Sequence, residues 1–240
     1  MNTAEFIENC KSYSHYQNIK PRPVEFNNWR KERLHNKYSN WIIENANCPS
    51  LHIPIRVPYK EIYEEVASNL DRFVAHRDYG ESHGWKSVCI HGTTANETNI
   101  WTTHGYGYNE EPIYNWTDLA NSCPITTQWL KLLPYRSFRR VRFMLLEPGG
   151  VVGVHKDTDV RELQTINVAI NNPEGCNFYI EDAGTIPWKP GELRLIDIGR
   201  LHSVVNNSDT PRIHMIIHGS RIKENIAQLT CYAYDKILKQ

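Results

Sequence analysis

The sequence predicts a mainly β fold, an antiparallel sandwich or barrel with helices at its flanks. Three observations point there. From Arg140 onward, strand-like stretches recur every 8–12 residues or so. Turn signals separate them at Pro148-Gly149, Asn171-Asn172-Pro173-Glu174-Gly175, Asp182-Ala183-Gly184, Lys189-Pro190-Gly191 and Asn206-Asn207-Ser208-Asp209. Helical patterns fall before and after this region.

In chain order, residues 1–48 are polar and aromatic, with a helix expected from Trp29 to Tyr38, and read as a flank wrapping a core. Leu51 to Val57 alternates and then meets Pro58, which suits an edge strand. Tyr59 to Phe73 places Ile62, Tyr63, Val66, Leu70 and Phe73 at the three-to-four spacing of an amphipathic helix. Trp85 to His91 is a strand candidate, with His91 a core or pocket-lining residue ahead of a ligand. Gly92 to Tyr114, rich in Thr, Asn, Gly and Tyr, reads as a long loop of the kind that forms a lid or substrate wall. Pro124 to Leu133 is a short helix with proline at its start. The core then runs as Phe143–Leu146, a Pro148-Gly149-Gly150 turn, Val151–Val154, Leu163–Val168, Leu193–Ile198 and Ile213–Ile217, and Ile222 to Leu238 is a covering helix. Without repeats, low-complexity tracts or linkers, the expectation is one domain: flank 1–135, core 136–220 and C-terminal helix 221–240.

At 240 residues and 28.0 kDa the chain can bury one sizeable core. Lys and Arg (27) cancel Asp and Glu (27), which excludes an overall basic footprint for nucleic acid or an anionic membrane. The locally basic Arg136–Arg142 segment is a solvated strand edge or the wall of a pocket for a carboxylate-bearing substrate. Six scattered cysteines form no C-x-x-C, which argues against a zinc ribbon or redox motif. The N-terminus lacks a signal-peptide apolar region and no apolar run reaches transmembrane length, so the expectation is a cytoplasmic protein with reduced thiols.

The chemistry concentrates in His155-Lys156-Asp157, then His202, then Arg212. Two imidazoles and a carboxylate are the facial triad that holds non-haem Fe(II) and leaves positions open for a cosubstrate and O2. His155 and Asp157 lie two apart, on one face of a strand. With 11 histidines in the chain, an H-x-D also arises by chance as a surface histidine beside an acid. The context favours a site, because His155, His202 and Arg212 each stand at the end of a predicted strand. Arg212, ten residues after His202, is placed to pair with a carboxylate of 2-oxoglutarate.

The set Pro148-Gly149, His155, Trp188-x-x-Gly191, Asp197, His202, Asn206 and Arg212 resembles the aspartyl/asparaginyl β-hydroxylase-like family, itself related to bacterial proline cis-hydroxylases. The resemblance covers about Arg140 to Gly219. It implies a double-stranded β-helix (jelly-roll, cupin-like) core, the cofactors Fe(II), 2-oxoglutarate and O2, and C–H hydroxylation coupled to conversion of 2-oxoglutarate into succinate and CO2. It also implies that His155 and His202 are iron ligands and that Arg212 holds the distal carboxylate of 2-oxoglutarate.

Two departures matter. Members acting on epidermal-growth-factor-like domains have glycine where this chain has Asp157. The carboxylate completes the triad, favours hydroxylation over halogenation, and turns the expectation toward small-molecule substrates. The family's R-x-H pair on the next strand is missing from Leu163-Gln164-Thr165-Ile166-Asn167-Val168, so Thr165 and Asn167 are its candidate replacements. Arg142 and Trp188 are the candidate substrate residues. Arg142 alternates with Phe143, and one of the two faces the barrel interior. Trp188 is otherwise a core residue, Asp197 a loop anchor and Asn206 a turn residue.

The expected activity is hydroxylation of an unactivated C–H bond of an amino acid or amino-acid derivative. A protein or peptide Asp/Asn-type side-chain hydroxylase, a cupin-like metal enzyme without 2-oxoglutarate and a non-enzymatic sugar- or peptide-binding jelly roll are the alternatives. The expected partner is a small molecule or peptide, with no nucleic acid and no membrane.

Overall fold

The computed structural model describes residues 1–77, 79–96, 107, 110, 112–159, 163–219 and 223–240, without the side chains of Glu32, Gln164, Thr165, Lys223, Glu224 and Asn225. The flank contributes helices α1 (Thr3–Cys10) and α2 (Glu32–Asn45), strand β1 (Ser50–Ile53), helix α3 (Tyr59–Ala67), strands β2 (Val74–Ala75), β3 (His83–Gly92) and β4 (Asn115–Trp116), and helices α4 (Leu119–Ser122) and α5 (Pro124–Lys131). The core follows as β5 (Phe138–His155), β6 (Leu163–Ala169), β7 (Cys176–Ile180), β8 (Gly184–Thr185), β9 (Leu193–Asp197), β10 (His202–Asn206) and β11 (Arg212–Gly219), with α6 (Lys223–Ile237) after it.

Among the described residues all strand pairs are antiparallel. β5 belongs to two sheets. Its first half pairs with β11, placing Leu146 opposite Arg212, Met144 opposite His214 and Arg142 opposite Ile216. Its second half pairs with β10, placing Val151 opposite Val205 and His155 opposite His202. One sheet therefore runs β1-β9-β6-β11-β5 with β3 beyond, and the other β5-β10-β7-β8. Two four-stranded core sheets joined by alternate strands are the jelly roll. The bend in β5 falls at Pro148-Gly149-Gly150. Gly149 has φ +73°, and a Cβ on Gly150 would lie 2.8 Å from the Glu147 carbonyl oxygen and from a Leu146 methyl.

Alternation sorts the larger sheet's side chains between two cores. Val141, Phe143, Leu145, Ile213, Met215 and Ile217 pack outward with Tyr38, Ile42, Ile62, Leu130 and Tyr234 of the helices. Leu146, Val152, Phe178, Ile180, Ile196 and Val204 pack between the sheets. β11 accordingly buries Ile213, Met215 and Ile217 in the outer core and turns its alternate residues toward the space between the sheets.

The flanking elements differ in their bounds from the sequence expectation. The helix expected from Trp29 begins at Glu32 and runs on to Asn45, because Tyr38, Ile42 and Ala46 continue its buried stripe. α3 stops at Ala67: the Ser68 hydroxyl and Asn69 amide donate to the Glu64 and Glu65 carbonyls, and a 3-10 turn follows. The edge strand ends at Ile53, just before Pro54. Asp235 of α6 accepts from Arg22, the Trp29 indole and the Tyr38 hydroxyl, tying the flank to the C-terminal helix. All six cysteines are buried thiols. No helix among the described residues is long and apolar enough to cross a membrane. Most of the segment read as a lid, at 97–106, 108–109 and 111, lies outside the described residues.

Candidate active site

His155 ends β5, Asp157 follows it and His202 opens β10, directly opposite His155. One ligand atom from each lies within 4.8 Å of the others. His155 Nε2 is 3.5 Å from Asp157 Oδ1, and His202 Nε2 is 4.0 Å from Asp157 Oδ2. Each imidazole is held from behind by the carbonyl two residues earlier: His155 Nδ1 donates to Gly153 O at 2.8 Å and His202 Nδ1 to Arg200 O at 2.9 Å. A carbonyl only accepts, so each neutral ring keeps its proton on Nδ1 and offers the Nε2 lone pair.

The loop behind these groups is itself anchored. The Asp157 backbone N–H donates to Ile198 O. Arg200, almost fully buried, donates to Asp197, to Glu181 O and to Asn47. Asp197 therefore fixes the loop that presents His202.

Electrostatics favours a cation among the three side chains. Burial alone would raise the Asp157 pKa, but the His155 hydrogen bond and the His202, His155 and Arg77 charges outweigh it and hold the carboxyl well below the usual range. Burial, then His155, lowers the His202 pKa. An ionised carboxylate beside two imidazoles is the donor set that suits a divalent iron.

The triad opens on a cavity of about 350 Å³ between the sheets. Arg212, 6% exposed, lines it, and its Nη2 donates to His214 Nδ1 at 2.9 Å. Burial pushes the guanidinium pKa down to about 10, so it stays charged at neutral pH. The buried Arg212 Nε and His214 Nε2 have no hydrogen-bond partner among the described residues, as expected of a seat for a carboxylate. Asn167 of β6 is buried and lines the same cavity. The Thr165 side chain lies outside the described residues.

Arg142 faces inward and lines the cavity, while Phe143 packs toward the helices, which decides the alternation between them. Trp188 does not line the cavity, contrary to its assignment as a substrate residue. It is buried behind the wall, its ring edge-on to His214 at 4.8 Å with the Arg194 guanidinium over it, so it shapes the cavity only through His214. His91 is a buried structural residue whose Nδ1 bonds the Arg139 carbonyl, beside Trp116.

Several cavity residues escaped sequence reasoning. β11 presents Arg212, His214, Ile216 and His218 inward in strict alternation, a period-two pattern concealed by the apolar residues between them. Arg77 and Trp85 come from the β2–β3 hairpin of the flank, where no local pattern points to the core. The Arg77 guanidinium lies over the Trp85 ring, and that ring is 6.3 Å from His155. Among the described residues lining the cavity, Asp157 is the one carboxylate, set against Arg77, Arg140, Arg142 and Arg212.

A family model described as aspartyl/asparaginyl β-hydroxylase matches residues 54–221. No curated protein matches the chain. Among solved structures, the chain is similar to a Trichoplax adhaerens prolyl hydroxylase in complex with a hypoxia-inducible-factor oxygen degradation domain peptide, at 12% identity over 82% of this chain and 94% of that one, TM-score 0.48. It is also similar to a Pseudomonas putida prolyl-4-hydroxylase, at 12% identity over 78% and 99%, TM-score 0.43. A Burkholderia pseudomallei oxidoreductase of the 2OG-Fe(II) oxygenase family matches at 12% identity over 77% and 88%, TM-score 0.41.

Proposed function

The chain belongs to the aspartyl/asparaginyl β-hydroxylase family of Fe(II)/2-oxoglutarate dioxygenases, and we propose that it hydroxylates an unactivated C–H bond of a free amino acid or small amino-acid derivative. One observation carries the substrate class: the cavity beside the His155–Asp157–His202 cluster sets four arginines against one carboxylate among its described residues. Arg212 is matched to the distal carboxylate of 2-oxoglutarate. Arg142, paired with Ile216 four residues along β11 from Arg212 and 5% exposed, is then the residue for a substrate carboxylate. A cavity of about 350 Å³ also sits at the small end of ligand pockets and suits a small substrate.

When bound, Fe(II), 2-oxoglutarate and O2 supply the hydroxylation, with succinate and CO2 as coproducts. The chain supplies ligands, orientation and dryness. His155 and His202 hold the metal through Nε2 and Asp157 through its carboxylate, and the complete triad favours hydroxylation over halogenation. Arg212 suits a carboxylate because its planar fork makes charge-assisted, bidentate bonds. Asn167 offers the cavity an uncharged amide on the strand where the family's R-x-H pair is missing. Phe178, stacked on the His202 ring with centroids 5.6 Å apart, joins Val152, Ile196 and Val204 in keeping the site apolar and water-poor.

The test is a screen of amino acids for substrate-dependent succinate release by the Fe(II)-loaded protein. A free amino acid that stimulates release supports the proposal. Stimulation by acidic or asparagine-containing peptides alone would move the assignment to a side-chain hydroxylase.

A further inference from the structure

The carbonyls behind His155 and His202 belong to peptides whose N–H groups lead away to carboxylates. Behind His202, the Arg200–Leu201 peptide accepts from His202 Nδ1 and donates through Leu201 N–H to Glu181 Oε2 at 3.2 Å. Behind His155, the Gly153–Val154 peptide accepts from His155 Nδ1 and donates through Val154 N–H to Thr3 Oγ1 at 3.0 Å. The Thr3 hydroxyl donates onward to Glu81 Oε2, which also accepts the Thr3 backbone N–H at 2.9 Å. The hydroxyl bond, then the backbone one, lowers the Glu81 pKa and favours its ionised form. Sheet pairing does not supply these contacts. The register of β5 with β10 jumps from Val152 to His155 and its register with β3 ends at Val151, so neither ladder serves Val154 among the described residues. Thr3 is 7% exposed and starts α1, whose Phe6 and Cys10 share an apolar cluster with Val154 and Leu201. Those two side chains lie on the α1 side, so the histidines that follow them face the cavity.

We propose that Glu181, and Glu81 acting through Thr3, are positioning residues for the two histidine ligands, each a remote carboxylate linked to its imidazole through one peptide. In both relays every group donates toward the acid: the ring Nδ1–H to a carbonyl, the N–H of the same peptide onward, the carboxylate accepting last. Hydrogen bonds aligned in this way polarise one another. A carboxylate bonded directly to a ligating histidine fixes its tautomer and raises its basicity, and here a peptide transmits that effect to Nε2. The arrangement occurs twice, behind two ligands on different strands, with acids from different parts of the chain. This rests on the reading of His155, Asp157 and His202 as a metal site. It also gives α1, whose residues do not line the cavity, a part in metal binding.

The experiment is calorimetric titration of the full chain with Mn(II), with the melting temperature of each variant measured alongside. Thr3→Val keeps the shape of the side chain but cuts the first relay, and Glu181→Leu cuts the second. Each should weaken Mn(II) roughly tenfold, the low end for losing a contact that supports a ligand. Thr3→Ser restores the hydroxyl and Glu181→Gln restores an acceptor oxygen, so each should recover much of the lost affinity. Ile7→Ala, on α1 but in neither relay, should lower the melting temperature without changing Mn(II) affinity. If Thr3→Val fails to fold by circular dichroism, Glu81→Ala at the exposed end of the relay should still weaken Mn(II). Unchanged affinity in Thr3→Val or in Glu181→Leu would overturn the proposal, as would a serine variant as weak as the valine one. An equal loss in Ile7→Ala would reduce the effect to general loosening and overturn it too. A wild-type protein that binds no Mn(II) would overturn the metal-site reading, and this inference with it.

Discussion

His155 and His202 face each other across the β5–β10 pair with ring centroids 4.4 Å apart, each anchored through Nδ1 to the carbonyl two residues before it. The register sets this approach, so neither ring can move without disturbing a strand. His202→Ala should therefore lower Fe(II) affinity by more than the roughly 10–100-fold typical of losing a supporting contact, with the fold intact by circular dichroism. Anaerobic metal titration checks this, and unchanged affinity would remove His202 from the ligand set.

Arg212 combines charge and fork geometry at a buried position. Arg212→Ala should raise the apparent KM for 2-oxoglutarate far more than Arg212→Lys, because both lose the fork and only alanine loses the charge. The alanine effect should be roughly tenfold or more, the scale of one charge-assisted hydrogen bond. Small, equal effects in steady-state kinetics would make Arg212 structural.

Arg142 lies opposite Ile216, four residues along β11 from Arg212. Arg142→Gln should cut turnover of an amino-acid substrate while leaving 2-oxoglutarate affinity unchanged. Normal kinetics in this variant would withdraw the carboxylate clamp, and a parallel loss of 2-oxoglutarate binding would place Arg142 with the cosubstrate instead.

His15 adds a pH dependence remote from the site. Its Nε2 lies 2.9 Å from the Ser50 hydroxyl, and burial, then the Arg194 charge, push its pKa down to about 3. The folded value lies below the unfolded one, so the unfolded chain takes up a proton that the folded chain refuses. This contribution to stability is complete above about pH 6.5 and declines as pH falls toward 3, by at most about 1.4 kcal/mol per pH unit. Urea midpoints should drop between about pH 7 and pH 5, less steeply in His15→Gln. Identical slopes in the two proteins would contradict the assignment.

Legibility followed locality. The jelly-roll strands from Arg140 onward were readable because turn residues punctuate them, and the proximity of His155, Asp157 and His202 because these residues sit at strand ends. The Arg142 alternation stayed open because Met144 and Leu146 share its face while Phe143 and Leu145 share the other, so both faces are apolar; only pairing with β11 decides it. Trp188 was misplaced because sequence cannot tell a ring on the cavity wall from one just behind it. Trp85 reaches the cavity through a β3–β5 pairing that links residues far apart in sequence, with Arg77 over its ring, and no periodic pattern announces that. His214 was visible as a letter, but its meaning depends on the 2.9 Å contact with Arg212.

The central claim is that one cavity holds both a His155–Asp157–His202 metal and 2-oxoglutarate. Anaerobic addition of Fe(II) and then 2-oxoglutarate, followed by visible absorption, tests it most directly. The account predicts a metal-to-ligand charge-transfer band that appears only when both are present, saturates at one equivalent of each, and is absent in Asp157→Ala and His202→Ala. Fe(II) binding with no such band on adding 2-oxoglutarate to the wild-type protein would contradict it.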